Sequence, residues 1–104
     1  MNIDKHAVRE LVLHLENESG FYRQTEMLRK NYAKKKAKDV FDPILAIKGI
    51  DSLVLNWFKT REFLQVYTRD FANTFKGRNG IANRQLVCSE ILAGWTEEIE
   101  ELAR

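Results

Sequence analysis

Apolar residues recur along this chain every three or four positions, which is the spacing of one face of an α-helix. Strict alternation of apolar and polar residues, the pattern of a half-buried β-strand, is hard to find. The chain also contains only one proline and five glycines. The pattern therefore predicts an all-α protein, a compact antiparallel bundle of four main helices with a short extra helical turn near Pro43.

The first two helices are predicted on either side of Gly20. The first extends from about Ile3 to Asn17, and we expect Gly20 to stop it in a left-handed conformation. The second extends from about Phe21 to Phe41 and carries two apolar faces instead of one. A helix of this kind contacts two neighbours, or one neighbour and a partner.

The middle of the chain predicts a short turn followed by the most apolar helix. Asp42 fits the N-cap and Pro43 the first position of a turn that we expect to end at Gly49. With Asp51 as its N-cap, the third main helix is predicted from about Ser52 to Phe75. It is apolar on nearly all sides, which predicts that it is the central element of the bundle.

The last helix is predicted after a turn that contains Gly77 and Gly80. Asn83 is its expected N-cap, and the helix extends from about Arg84 to Ala103. We find no linker and no low-complexity segment, so residues 1–104 are interpreted as a single helical domain.

The cysteine count, the length of the apolar runs and the net charge limit the compartment and the kinds of site that we expect for this chain. Cys88 is the only cysteine, so the chain forms neither an intrachain disulfide nor a multi-thiolate zinc site. No apolar run approaches the roughly 18 residues that span a membrane. The net charge of +2 is too small by itself to argue for a nucleic acid or a membrane surface. These features predict a cytoplasmic protein that does not bind membranes.

Charge is concentrated on the second predicted helix. The residues that line up there are basic and spaced by seven, four and four positions, with one more beside them. We call these five residues the basic stripe: Arg23, Lys30, Lys34, Lys35 and Lys38. Two interpretations stay open, the solvated face of an ordinary helix or a docking surface for an acidic protein or a phosphate backbone.

The last helix carries the opposite charge. Between Glu90 and Arg104 there are five glutamates and one arginine, and we call Glu97, Glu98 and Glu101 the acidic end. In the simplest bundle, the second and last helices are parallel and diagonal, which gives separate poles of opposite charge and favours self-association or a charged partner. If the two helices are adjacent, the charges pair within the molecule and nucleic-acid binding is less favoured.

Three further basic residues surround the predicted start of the last helix. Lys76, Arg78 and Arg84 lie where free backbone N–H groups favour an anion. The alternative is an ordinary glycine-containing turn between two helices.

The remaining candidates for chemistry are interpreted as structural. His6, Glu10 and His14 form a ridge, but the two histidines are about 12 Å apart along a helix, so the three residues cannot bind one ion together. A pair four positions apart would bind an ion only with further ligands from another chain, and we interpret both histidines as residues at the border of the apolar face. Cys88 lies on an apolar face and is typical of a buried thiol. The aromatic residues of the third predicted helix are interpreted as core and not as a ligand cavity. The sequence therefore predicts no catalytic residue, metal or cofactor.

Our functional hypothesis is a non-enzymatic binding module that acts through protein–protein contact, as an adaptor, inhibitor or accessory protein, with a homodimer as one form of that contact. The alternative is a nucleic-acid-binding protein that uses the basic stripe on phosphates, helped by Lys76, Arg78 and Arg84. Neither hypothesis includes a small-molecule substrate.

Overall fold

The computed structural model describes residues 4–104, apart from the side chain of Asn79. Ile3, which belongs to the first predicted helix, lies outside the described residues. The described elements, with one 3₁₀ turn at Arg78–Gly80, are α1 Lys5–Asn17, α2 Ser19–Ala37, α3 Pro43–Trp57, α4 Arg61–Val66, α5 Arg69–Asn73 and α6 Ile81–Ala103. No strand occurs among residues 4–104, and four of the helices are long, so the all-α prediction is confirmed. Within the same range, no helix has both the length and the apolar character needed to cross a membrane.

The centre of the bundle is α6, whereas the sequence predicted the third helix. The last helix packs against α1, α2 and α3, and its most extensive contact is with α2. Its inward residues share full or nearly full burial: Val87, Cys88, Ile91, Trp95 and Ile99. Because these residues cover a broad arc of the helix, one neighbouring helix cannot shield them all.

The helices α2 and α6 are adjacent and parallel, not diagonal. Near its start, α2 shares a pocket with Ile91 of α6, and near its end it shares a groove with Glu100. Between these two levels, Arg29 Nε lies 3.2 Å from Glu98 Oε2. Residue numbers therefore increase in the same direction along both helices.

Gly49 lies inside a helix instead of ending one, and its lack of a side chain leaves room for Tyr32. The segment at Pro43 is helical as predicted, and Asp42 caps it as predicted, but the helix continues through Gly49 to Trp57. A Cβ atom at Gly49 would clash with the Tyr32 hydroxyl. That hydroxyl donates a 2.8 Å hydrogen bond to the Ala46 carbonyl. Burial raises the pKa of Tyr32, with a smaller effect from Cys88, so the phenol remains a neutral donor.

The predicted helix from Ser52 to Phe75 is instead broken after Trp57. Thr60 Oγ1 donates to the Trp57 carbonyl at 2.6 Å and accepts from Phe63 N, so it caps α4. In the same way, Thr68 Oγ1 accepts from Phe71 N and caps α5. Each threonine gives the following helix its own start, and the chain folds back on itself.

This reversal assembles an aromatic cluster at one end of the bundle. The ring of Phe58 lies 4.5 Å from that of Phe63 and 4.7 Å from that of Phe75. On a continuous helix, Phe58 and Phe75 would be about 25 Å apart. All three rings are fully buried, so the prediction that these aromatic residues form core and not a cavity agrees with their packing.

Two predicted helix starts also differ from the structure. Gly20 does not stop the first helix in a left-handed conformation but lies inside α2, since the break between the first two helices is confined to Glu18. Asn83 lies inside α6, which begins at Ile81, and its Nδ2 donates to the Thr74 carbonyl at 3.0 Å. A buried contact with the preceding loop therefore takes the place of the predicted cap.

An ion pair between a buried arginine and a half-buried aspartate ties α3 to α6. Arg84 Nε lies 2.8 Å from Asp51 Oδ1, and Arg84 Nη1 donates to the Phe75 carbonyl. The sequence predicted Asp51 at an N-cap, which is wrong, and Arg84 beside a bound anion, whereas Arg84 here pairs with Asp51. Asp51 lies inside α3, and Arg84 is buried, because the folded-back aromatic segment covers the start of α6.

We expect Asp51→Ala to lower the free energy of unfolding by about 2 kcal/mol, because it leaves the buried Arg84 guanidinium without a carboxylate. Urea denaturation followed by circular dichroism measures this change. The exposed Glu97, changed to Ala, is the matched control. Adding Arg84→Met to Asp51→Ala should recover part of the loss. Equal stability of the Asp51→Ala and Glu97→Ala variants would contradict the role of the pair.

Candidate functional site

The turn between α2 and α3 is built by the lysine-rich end of α2. Asp39 adopts a left-handed conformation with φ of 59°, which aspartate tolerates better than most residues. Val40 N donates to the Lys35 carbonyl at 2.9 Å, the long bond of a Schellman motif. Asp42 Oδ1 then accepts from Ile44 N at 2.9 Å and starts α3. The two caps fix the direction of the segment between them.

This turn presents apolar side chains to solvent. Val40 is 63% exposed, Ile44 68% and Leu45 56%. We call these three residues the apolar corner. They lie within six positions of one another, and no other six-residue stretch of the described chain has more than two exposed large apolar residues. Contiguous exposed apolar surface is characteristic of interaction sites.

An open groove of about 370 Å³ lies beside the apolar corner, between the end of α2, the start of α3 and α6. Its floor is largely apolar, with a lysine and a glutamate at its rim. The lining residues are Lys36, Phe41, Pro43, Ile47, Ser89, Leu92, Ala93, Thr96, Ile99 and Glu100. Pro43 and Ile47 line the groove, and Ile44 lies on the neighbouring face of α3, so the apolar corner adjoins the groove without lining it.

Most of the basic stripe is open to solvent. Arg23, Lys30, Lys34 and Lys38 are exposed, and Lys35 is half-buried. Lys30 pairs with Glu26 of its own helix at 3.1 Å. Within residues 4–104, no carboxylate lies within 4 Å of the other four cations. The acidic end of α6 therefore does not cover the basic stripe.

One cation of α2, Arg29, is buried instead of exposed, and its role was not predicted from the sequence. The side chain of Arg29 is 3% exposed, and its guanidinium lies 3.9 Å from the centre of the Tyr22 ring. Its Nη1 donates to Thr25 Oγ1. The contact with Glu98 is ionic and not a well-aligned hydrogen bond, since Arg29 Nε has the distance but lacks the direction of one. The signal was the position of Arg29, on the same face as Tyr22 and Thr25.

The acidic end is divided between two environments. Glu98 is half-buried and points its carboxylate at Arg29, so its charge is used inside the molecule. Glu97 and Glu101 are exposed. The separate poles of a diagonal arrangement do not form, because α2 and α6 are adjacent and their oppositely charged ends lie side by side.

The loop before α6 does not add to this surface. Gly77 adopts φ of 68°, and the chain forms a glycine-containing turn. Lys76 and Arg78 are exposed, but Arg84 points inward to Asp51. Since α6 is about 33 Å long, the loop lies at the opposite end of the bundle from the Lys34–Lys38 part of the basic stripe.

The residues of the histidine ridge, His6, Glu10 and His14, do not face a common site. His6 Nε2 lies 3.0 Å from Glu10 Oε1, whereas the His14 ring packs edge-on against Tyr67 at 5.3 Å. Among residues 4–104, no group of three His, Cys, Asp or Glu side chains is arranged to bind a metal ion.

Cys88 is fully buried at the centre of α6. Its Sγ atom lies 3.9 Å from Asp51 Oδ1. Burial, followed by the nearby Asp51 carboxylate, raises the pKa of the Cys88 thiol to about 12. The thiol is therefore neutral at physiological pH and is not activated as a nucleophile.

We expect native Cys88 to react with iodoacetamide at pH 8 more than about 100-fold more slowly than an exposed cysteine, because it forms little thiolate and is shielded. Mass spectrometry of timed samples measures the rate, and full reaction should follow unfolding in urea. The matched control is Cys88→Ala with Ser89→Cys, which moves the thiol to the exposed neighbouring position. Similar native rates for the two proteins would refute the assignment.

Comparison of the chain with models of protein families, with curated proteins and with solved structures found no match in any of the three.

Proposed function

We propose that this protein is a non-enzymatic binding module that recognises another protein chain through the apolar corner and its groove, with the basic stripe selecting for acidic partners. The observation that carries this proposal is the exposure of Val40, Ile44 and Leu45 on one turn. Large apolar side chains in solvent add nothing to the stability of the isolated fold.

Covering the apolar corner supplies part of the free energy that recognition of a partner requires. Covering a large aliphatic side chain completely contributes about 1.5–3 kcal/mol, so covering the exposed parts of three such residues offers about 3–5 kcal/mol before the costs of association. The groove beside them gives a partner side chain a place to insert. This combination of a central apolar contact and a polar rim is the usual anatomy of a protein interface.

The charge around the apolar corner indicates the chemistry of the partner. Lys34, Lys36, Lys38 and Lys48 are exposed near this turn, and so are Asp39 and Asp42. Residues 34–48 contain five lysines and two aspartates, a net charge of +3. A partner that carries apolar side chains flanked by aspartate or glutamate therefore fits better than a basic one. Such rim charges act mainly on the association rate and on the choice of partner.

We expect a photo-reactive phenylalanine analogue at Ile44 to give a discrete protein adduct in the cells that produce this protein, because that side chain lies in the proposed contact. The matched control carries the same analogue at Gln65, an exposed position of α4. Gel electrophoresis and mass spectrometry identify the adducts. Lys34→Glu with Lys38→Glu in the Ile44-labelled protein should reduce the adduct, since it reverses the charge of the rim.

The proposal fails if positions 44 and 65 give the same adducts, or if position 44 gives none. It also fails if the adduct persists unchanged after the glutamate substitutions together with Leu45→Asp, because a contact through the apolar corner cannot tolerate a new charge at its centre.

Nucleic-acid binding is the second candidate, favoured by one observation. Arg23, Lys34 and Lys38 are exposed without a carboxylate within 4 Å among the described residues. From Arg23 to Lys38, the basic stripe extends over about 22 Å of helix, which suits several consecutive phosphates. Arg84 takes no part because it is buried, and Lys76 and Arg78 lie at the far end of the bundle.

If this second candidate holds, the logarithm of the affinity for a short DNA duplex falls linearly with the logarithm of salt concentration. The expected slope is about −3 to −4, from phosphate contacts of the four exposed cations of the basic stripe, Arg23, Lys30, Lys34 and Lys38. Fluorescence anisotropy measures this slope. Lys34→Gln with Lys38→Gln should reduce its magnitude by about 2, whereas the exposed Lys59→Gln with Arg61→Gln should leave it unchanged. Absence of DNA and RNA binding at low salt eliminates this candidate.

A further inference from the structure

We infer that the partner seated on the apolar corner is a second copy of this chain, in a two-fold contact that places the corner of each copy against the acidic end of the other. This choice of partner rests on the proposed protein-binding function and makes it specific.

Charge complementarity supports self-recognition. Residues 34–39, at the end of α2, contain four lysines and one aspartate, a net charge of +3. Residues 97–104, at the end of α6, contain four glutamates and one arginine, a net charge of −3. Because Glu98 faces Arg29 within each copy, the acidic segment offers a net charge of −2 to the lysine-rich segment of the other copy. Two copies that exchange these contacts therefore neutralise most of this charge.

The placement of the two segments meets the geometric requirement of a two-fold contact. An isologous interface needs both complementary surfaces on the same region of one molecule, because each copy offers both. The parallel packing of α2 and α6 provides this, since Lys36 and Glu100 line the same groove. A diagonal pair of helices would have separated the two charges across the width of the bundle.

The acidic end also carries apolar surface for the corner to cover. Leu102 is 51% exposed next to Glu101, beyond the part of α6 that packs on the bundle. A contact between Leu102 of one copy and Val40 or Ile44 of the other would remove apolar side chains from solvent on both sides. The side chains of Glu97, Glu101, Lys34 and Lys38 have no internal ion pair among the described residues and remain available for the pairing.

Because charged rim contacts are screened, the dimer should weaken markedly as NaCl rises from about 0.05 M to about 0.5 M. Sedimentation velocity of the full chain at high micromolar concentration measures the monomer–dimer equilibrium. We expect Lys34→Glu with Lys38→Glu to raise the dimer dissociation constant about tenfold, and Glu97→Lys with Glu101→Lys to do the same. An equimolar mixture of these two variants should form a heterodimer about as tight as the original dimer.

Lys59→Glu with Arg61→Glu is the matched control, since it makes the same change in net charge at the opposite end of α3. Circular dichroism checks that each variant is folded. If the glutamate pair in α2 lowers helicity, Lys34→Gln with Lys38→Gln replaces it, with a smaller but measurable weakening expected.

A monomer at all concentrations at low salt overturns this inference. A dimer that responds equally to the α2 variant and to the control also overturns it, because the copies then associate through another face. Neither result removes the proposed protein-binding function if the label at Ile44 still captures a different protein. An adduct of two copies at Ile44, lost with the α2 variant, supports both.

Discussion

The structure depends on covering α6 on three sides. Its inward residues, from Val87 to Ile99, are shielded only when α1, α2 and α3 all contact it. Each fully buried aliphatic or aromatic side chain there contributes about 1.5–3 kcal/mol, more than any surface ion pair in the molecule can offer. This requirement brings α2 directly against α6. Gly49 belongs to the same requirement, since its missing side chain lets Tyr32 bridge from α2 to the backbone of α3 while its ring packs near Trp95.

The same packing decides where the charges lie. With α2 and α6 parallel and in contact, a cation on the shared face must be buried, and Arg29 fulfils that role by stacking on Tyr22 and facing Glu98. The flat guanidinium can stack on a ring while its edge donates, which a lysine ammonium cannot do. The other cations of α2 are thereby left on the outer face of the helix. The bundle thus has an internal charge pair and, at the same end, lysines and glutamates that its own fold does not neutralise.

Much of the fold could be predicted from helical periodicity, but the middle of the chain could not. The apolar period predicted α1, α2 and α6, and the residue types at Asp42 and Pro43 predicted the start of α3, because these features depend on local sequence. Gly49 misled the prediction, since its small size serves a contact with Tyr32, a residue 17 positions away. The break after Trp57 had a local signal, the repeated pattern of threonine, arginine, acid and phenylalanine at residues 60–63 and 68–71, which the strong apolar period outweighed. At the candidate site, the basic stripe was visible in the sequence. The apolar corner was not, because periodicity assigns apolar residues to the core and cannot show which of them the tertiary structure leaves uncovered.

The apolar corner is stronger evidence for function than the lysines are. Cations in the last turn of a helix interact favourably with its dipole, at about 0.3–1 kcal/mol each, so Lys34, Lys35 and Lys36 have a structural reason to be present. No comparable reason explains Ile44 and Leu45. The capping of α3 needs only Asp42 and Pro43, and polar residues at positions 44 and 45 would continue the helix equally well while improving solubility. Because the fold does not require these exposed apolar side chains, a partner that covers them gives the simplest physical account of the surface, and the lysines around them then determine which partner is accepted.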